Sequence, residues 1–449
     1  MDITVHNTPL CGAVTVPSSK SFVQRQLIAA ALSEQESQLR FRGFSADIAA
    51  AADCIRALGG GCTCLPPDET GMETLCIAPV LGRGPAAPQL DCGESGAVAR
   101  FFLPVAAAWQ TVRCGGADFV LTGGERLQQR PMAELCAALR AHGCTVSADS
   151  LPLRVGGALA GGAYALPGNV SSQYITGLLL ALPLLQEDSV LRLTTPASSA
   201  GYLDITAAVL AQSGVAVQPF EENGLRGWRI PGGQRYAFAA AGKGEGPKKC
   251  GGNFAAEAAG SAKTAGAVQA EGDWSNGAFW LCADALLRAR GHAGLAVHGL
   301  AADSVQGDRA VQRYIAAITA PGDTAVDADA CPDLVPVLAV LAAAQHKTTV
   351  FVNAARLRQK ESDRIAAACA LLHALGGAAQ QTADTLTVHG TGGLRGGAVD
   401  GMGDHRIVMA AAVATLVCKA PVRICGAQAV QKSYPAFFAD WKALGGVCG

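Results

Sequence analysis

Aromatic residues are scarce in this chain, at 5% of 449 positions, and charge is sparse and balanced: 35 Lys and Arg against 36 Asp and Glu. The formal net charge of −1 excludes a globally basic surface of the kind that binds nucleic acid through its phosphates. Any anion site must gather its cations locally. Long apolar runs are missing too. Stretches such as 175–185 fall short of the ~20 residues that a membrane-spanning helix needs. The opening MDITVHNTPLCGAV has neither a basic leader nor an uninterrupted apolar core, so a cytoplasmic location is expected. The sixteen cysteines include no Cys-x-x-Cys pair, and Cys62 with Cys64 has no second Cys or His cluster at zinc-site spacing. Free thiols are expected, with neither a metal site nor a disulfide framework.

Half of the residues are hydrophobic, with 54 glycines and long alanine runs, which suits short helices and strands packed closely. The length exceeds one ordinary core and points to two domains of roughly 200 residues each. One phrase recurs, in which an apolar helical stretch runs into a glycine and then a short β-like segment. It stands at CIRALGGGCT, ALRAHGCTV, VLAQSGVAV, IAAITAPGDTAV, LLHALGGAA and WKALGGVC. The glycine is the expected helix C-cap, since a left-handed conformation costs it nothing sterically. Six such joints, three before residue 220 and three after 310, argue for a repeated α/β unit of about 70 residues. Between the two sets lies a Gly-, Ala- and Lys-rich segment at 240–270, a loop or linker insertion by composition, with a mobile lid as the alternative.

The chemistry shows at helix starts. A Lys or Arg in a first turn opposes the helix dipole by ~0.3–1 kcal/mol, yet several helices here begin that way. Lys20 stands at the mouth of VPSSKSFVQRQLIAAAL, with Ser21 and Arg25 four apart on one face. Gly93 and Gly96 precede a helix that carries Arg100. Lys360 and Arg364, four apart with Glu361 between, open another. Asp404 is a plausible cap, followed directly by His405 and Arg406. Ser171, Ser172 and Gln173 supply hydroxyls and an amide ahead of an apolar helix, and Arg130 precedes Pro131, a residue favoured at a first helical position. Each case alone fits a solvated cation or an ordinary serine cap. Their recurrence argues for anions bound at helix mouths, where backbone N–H groups add donors.

In chain order the motifs are PSSKSFVQR, GESGAVAR, LQQRPM, SSQY, EGDWSNGAF, SVQGD, CPDLVP, LRQKESDR, GDHRIVMA and KSYPAFF. This ordered set, from about residue 10 to about 440, resembles the 5-enolpyruvylshikimate-3-phosphate synthase family of bacterial type. The resemblance implies a two-domain inside-out α/β barrel of six repeated folding units, three per domain, closing over its substrates. It implies domains at 14–235 and at 1–13 with 236–449, because the N-terminal strand returns to the C-terminal half. The implied reaction moves the enolpyruvyl group of phosphoenolpyruvate to the 5-hydroxyl of shikimate 3-phosphate, with no metal or organic cofactor, in a monomer.

Carried over by motif, Lys20, Arg130, Gln173, Arg364, Arg406 and Lys432 hold phosphoenolpyruvate, with Gly96 lining its pocket. Lys20, Ser21, Arg25, Ser171, Ser172, Gln173, Ser199, Asp333 and Lys360 hold shikimate 3-phosphate, with Tyr202 beside it. Asp333 is the implied base for the 5-hydroxyl and Glu361 the implied acid toward the methylene carbon, with Lys20 completing the catalytic set; an acid near neutral pH requires a raised pKa. His405 has either a role in proton movement or a hinge or packing role. The chain departs from the family pattern at Ser18 (usually Gly), Gln24 (Asn), Glu94 and Ser95 (Asn-Ala), Ala97 (Thr) and Arg356, where some members have a substrate-touching Asn. The alternatives are an enolpyruvyl transferase acting on UDP-N-acetylglucosamine and a non-catalytic anion-binding paralogue.

Overall fold

The computed structural model describes residues 1–80, 82, 85–238 and 267–449. The insertion expected at 240–270 lies, up to residue 266, outside the described residues. Two compact units emerge. The N-unit comprises Lys20–Ala197 and Tyr202–Ala270, and the C-unit Met1–Ser19, Ser198–Gly201 and Glu271–Gly449.

One pattern, β-α-β-α-β-β, builds both units. In the N-unit, strand Gln89–Asp91 leads through helix Gly96–Cys114 to the parallel strand Phe119–Thr122. Helix Ala133–Ala141 then leads into the antiparallel pair Cys144–Val146 and Leu153–Gly157, which completes a four-stranded sheet. The same order recurs with strands Gly162–Leu166, Ser189–Leu193, Gln218–Glu222 and Leu225–Ile230. In the C-unit it recurs with Thr324–Asp327, Thr348–Val352, Ala378–Gln381 and Leu386–His389. A parallel pair needs a crossover, and here each crossover is a helix. One of these, Val335–Ala343, is apolar on all sides and buried throughout, and its Val, Leu and Ala fill the core of the C-unit.

The remaining copies are modified. Strands Gly397–Asp400 and Val422–Cys425 are parallel, the N-terminal strand Ile3–Val5 pairs antiparallel with the latter, and the fourth strand is reduced to a bridge between Val5 and Cys448. The last two copies exchange strands. Gly12–Thr15 leads into helix Lys20–Leu32 but pairs with Leu295–His298, whereas Val268–Gln269 leads toward helix Trp274–Ala289 but pairs with Ser37–Phe41. The unit boundaries therefore fall at 19/20 and 270/271, whereas the sequence reading placed them at 13/14 and 235/236. Among the described residues the sheets are separate, each with its own edges.

Five of the six recurrent glycines, Gly59, Gly143, Gly214, Gly376 and Gly445, have positive φ directly after the helix end, as expected of caps; Gly322 also has positive φ but lies in the loop beyond Pro321, after the extended C-cap Ala320. Two helix starts differ from the sequence reading. Arg364, not Lys360, opens the helix Arg364–Ala374, because the Asp363 carboxylate caps it by accepting from Ala366 N at 3.0 Å. Lys360 instead ends a 3-10 turn, Ala355–Gln359, so the two cations do not share a helical face. Pro131 likewise lies outside the helix Ala133–Ala141, and Arg130 follows the short helix Glu125–Gln128.

Candidate active site

Nearly all the motif residues lie where a strand hands over to a helix, the end of an α/β layer at which backbone N–H groups are left for ligands. Lys20, Gly96 and Ser172 are each the first residue of a helix in the N-unit. In the C-unit Arg364 and His405 hold the same position, while Asp333 stands two residues ahead of Val335–Ala343.

In the N-unit, Lys20 Nζ lies 3.0 Å from Asp47 Oδ2. Gln24 Nε2 donates to Asp47 O (3.2 Å) and Ser95 Oγ (3.4 Å), joining three helix starts. Arg25 is buried, and its guanidinium donates to Ser21 O (2.8 Å), Thr206 Oγ1 (2.8 Å), Thr176 Oγ1 (3.2 Å) and Tyr202 O (3.3 Å). It also lies over the Phe101 ring at 4.8 Å. No described carboxylate pairs with it, and burial pulls its guanidinium down to about 9. A buried cation held only by neutral oxygens and a ring is built to receive an anion.

Ser171 caps its helix by accepting from Gln173 N (3.3 Å), and Ser172 is buried beside it. Gln173 Oε1 accepts from Arg100 Nη1 at 2.7 Å, which directs the hydrogen-bonding capacity left on the amide to its NH2 donor. Arg100 is itself fixed by Pro131 O (2.9 Å) and by the Tyr174 ring. Arg130 comes so close to Gly96 that a Cβ built there would lie 2.6 Å from its Nη1. Glu94, one of the departures, accepts from Leu127 N (3.1 Å) and thereby pins the turn that carries Arg130.

The C-unit is arranged differently. Arg364, whose side chain is 1% exposed, donates to three carboxylates. These are Asp333 Oδ1 in a short contact, Glu361 Oε2 at 2.9 Å and Asp404 Oδ2 at 2.9 Å. Arg406 donates to Asp333 Oδ2 (3.1 Å) and Asn276 Oδ1 (3.2 Å). Lys432 Nζ lies 3.7 Å from Glu361 Oε1. Burial pushes the Asp333 carboxyl up, but Arg364, Arg406 and Lys360 outweigh it and hold the group well below the ordinary carboxylate range. Burial pulls the Lys360 ammonium down to about 8, with Arg364 and Arg356 adding to the effect and Asp333 and Glu361 opposing it. Ser199 packs with this unit and its Oγ accepts from Arg356 Nη1 at 3.2 Å. His405 is buried, its Nδ1 3.7 Å from Asp404 Oδ1.

Four residues of these networks had no site role in the sequence reading: Asp47, Asn276, Asp308 and Asp404. Each stands at or just ahead of a first helical turn, where an acidic or amide residue looks like an ordinary cap. Asp308 is buried with its Oδ2 accepting from Ser275 Oγ. Burial first, then repulsion from Asp333, push its carboxyl up to about 7. Among the described residues no group of three or more His, Cys, Asp or Glu is arranged to hold a metal ion, and no helix is long and apolar enough to cross a membrane.

Known proteins resemble this chain over nearly its whole length. The model of the family described as EPSP synthase (3-phosphoshikimate 1-carboxyvinyltransferase) matches residues 5–241 and 253–441. The 3-phosphoshikimate 1-carboxyvinyltransferase of Clostridium kluyveri is 35% identical over 99% of this chain and 97% of its own. That of Halorubrum lacusprofundi is 36% identical over 99% and 98%. Among solved structures, EPSP synthase from Acinetobacter baumannii superposes with a TM-score of 0.73 at 22% identity, covering 100% of this chain and 99% of its own. The enolpyruvyl transferase NikO from Streptomyces tendae reaches 0.72 at 16% identity, over 100% and 98%. The matches run through both units and through every motif from PSSKSFVQR to KSYPAFF, and on that extent the chain belongs to the EPSP synthase family.

Proposed function

We propose that the chain transfers the enolpyruvyl group of phosphoenolpyruvate to the 5-hydroxyl of shikimate 3-phosphate, releasing phosphate. The observation that carries the residue assignment is the C-unit cluster, in which two arginines converge on Asp333 while Arg364 and Lys432 flank Glu361.

The reaction needs a base for the hydroxyl, a proton for the methylene carbon and cations for the charge of a tetrahedral adduct. Asp333 takes the hydroxyl proton. Its proton affinity is low while Arg364 and Arg406 both bind it, and an anionic substrate drawing on those arginines raises it at the moment the base is required. Glu361 gives a proton to the methylene carbon, so that the hydroxyl oxygen bonds to the adjacent carbon. Loss of that proton and of phosphate then restores the double bond. Lys432, Arg364 and Arg406 hold the phosphoenolpyruvate charges from the C-unit; Lys20, Arg130 and Gln173 do so from the N-unit, beside Gly96. For shikimate 3-phosphate the N-unit supplies Lys20, Ser21, Arg25, Ser171, Ser172, Gln173 and Tyr202, and the C-unit Ser199, Asp333 and Lys360. Asp404 and Asn276 position the two C-unit arginines, and Arg100 positions Gln173. The enzyme acts as a cytoplasmic monomer in this reading.

The test is phosphate release from phosphoenolpyruvate with shikimate 3-phosphate, run beside UDP-N-acetylglucosamine as acceptor. Release with the shikimate compound alone is the expected outcome. Release with the nucleotide sugar alone overturns the substrate assignment, and no release from folded protein overturns the activity.

A further inference from the structure

Ser198–Gly201 packs with the C-unit although the chain on either side of it folds in the N-unit. Gly201 fits tightly there, since a Cβ on it would lie 2.8 Å from Gly307 Cα. Within this segment Ser199 has a φ of 53°, a left-handed conformation that residues other than glycine rarely adopt. A glycine would relax it, yet the position carries a hydroxyl, and that hydroxyl is engaged. Its Oγ donates to Asp329 O at 3.4 Å and accepts from Arg356 Nη1 at 3.2 Å. The same Nη1 donates to Asp329 Oδ1 at 2.8 Å.

The two residues that grip Ser199 are themselves fixed. Arg356 sits in the 3-10 turn Ala355–Gln359, which Asp384 anchors by accepting from Ala354 N (2.9 Å) and Ala355 N (2.7 Å). Asp327 Oδ1 accepts from Asp329 N and from Asn353 Nδ2, both at 3.2 Å, tying the loop of Asp329 to the loop of Arg356. Asn353 is also left-handed, with φ 55°. Two strained residues therefore flank one arginine in a frame of carboxylate bonds.

We propose that Arg356 is a positioning residue for shikimate 3-phosphate. With Asp329 it holds Ser199 in its left-handed conformation and donates to Oγ, so that the single hydroxyl proton, committed to Asp329 O only through the long 3.4 Å contact, turns to the substrate when it binds. The proposal rests on the reading above that Ser199 is a ligand of shikimate 3-phosphate. A hydroxyl that accepts from a guanidinium is polarised and donates more strongly. Arg356 thus acts through Ser199, not as a ligand itself.

A double-mutant cycle on the full chain tests this, with Michaelis constants for both substrates and thermal melting of each variant. Arg356→Met and Ser199→Ala are each expected to raise KM for shikimate 3-phosphate roughly 10-fold, the scale of a lost hydrogen bond to a charged group. KM for phosphoenolpyruvate and kcat stay within about 2-fold, and the double variant is no worse than the poorer single one, because both remove the same interaction. Arg356→Lys, which keeps a donor for Asp329, recovers part of the loss and serves in place of the methionine variant should that one fail to fold. An unchanged KM in Arg356→Met overturns the proposal. So do fully additive losses, which would mark Arg356 as an independent substrate contact. An unchanged KM in Ser199→Ala overturns the ligand reading of Ser199 and this proposal with it. Failure of the wild-type chain to turn over shikimate 3-phosphate overturns the functional reading itself.

Discussion

Two buried arginines near helix starts, Arg25 in the N-unit and Arg364 in the C-unit, are held in opposite ways. In the N-unit Arg25 is held by hydroxyl and carbonyl oxygens and a phenyl ring. In the C-unit Arg364 and Arg406 are held by carboxylates. Neutral partners leave the charge of Arg25 uncompensated among the described residues, which favours a ligand of fixed negative charge. Carboxylate partners compensate the charge and add groups that take and give protons. The difference fits the proposed division, in which Arg25 binds an anion and the C-unit carboxylates handle protons.

The largest expected effect would break this division outright. Glu361→Gln should cut kcat by ~10²-fold or more, the scale of lost acid–base catalysis, while both Michaelis constants stay near wild type. Wild-type turnover in that variant would remove the proton donor from the C-unit. Next, Gly96→Ala in the N-unit would drive a methyl into the Arg130 guanidinium. It should raise KM for phosphoenolpyruvate about 10-fold, a binding loss of the size of one displaced charged contact, with kcat within a few-fold. A collapse of kcat at unchanged KM would show the N-unit taking part in the chemistry.

A pH profile sharpens the comparison further. Lys360 loses its charge above about pH 8, so kcat/KM for shikimate 3-phosphate should fall as pH rises through that value. The limb should be absent from the already weakened Lys360→Met variant. Its persistence there would assign the titration to another group.

The smallest effect concerns stability. Asp308 binds its proton up to about pH 7 in the folded protein, whereas its ordinary value is 3.8. Between these values the folded state holds the extra proton, so the contribution of Asp308 is fully present below pH 3.8 and is lost as pH rises through about 7. Asp308→Asn should flatten the pH dependence of denaturant stability within that window by about 1.4 kcal/mol per pH unit. An identical slope in both proteins would show that Asp308 titrates normally.

Much of this was legible because the signals are local. A glycine just past an apolar helix has one inexpensive use, and five of the six served as caps; at Gly322 the intervening Pro321 ended the helix first. Lys20, Ser171 and Arg406 were expected at helix starts, where the dipole or a cap makes residue type matter, and they stand there. The helix at Arg364 was misplaced because Asp363, the true cap, stands inside a run of charges that reads equally well as a first turn. Asp47, Asn276 and Asp308 were missed for the opposite reason. Each is a favourable residue in an ordinary position, and only the distant partner, Lys20, Arg406 or Asp333, gives it a role. The strand exchange was invisible as well, since Gly12–Thr15 and Leu295–His298 meet from far apart in the chain and nothing in either strand names its partner.

That exchange bears on how the protein is made. The sheet that begins with Ser37–Phe41 is finished only when Val268–Gln269 has left the ribosome, and Gly12–Thr15 waits for Leu295–His298. Neither unit is a continuous stretch of chain, so a nascent fragment ending near residue 240 must carry an unfilled sheet edge, the kind that recruits other chains. A protein split at the apparent midpoint would consist of two halves that each lack a strand held by the other.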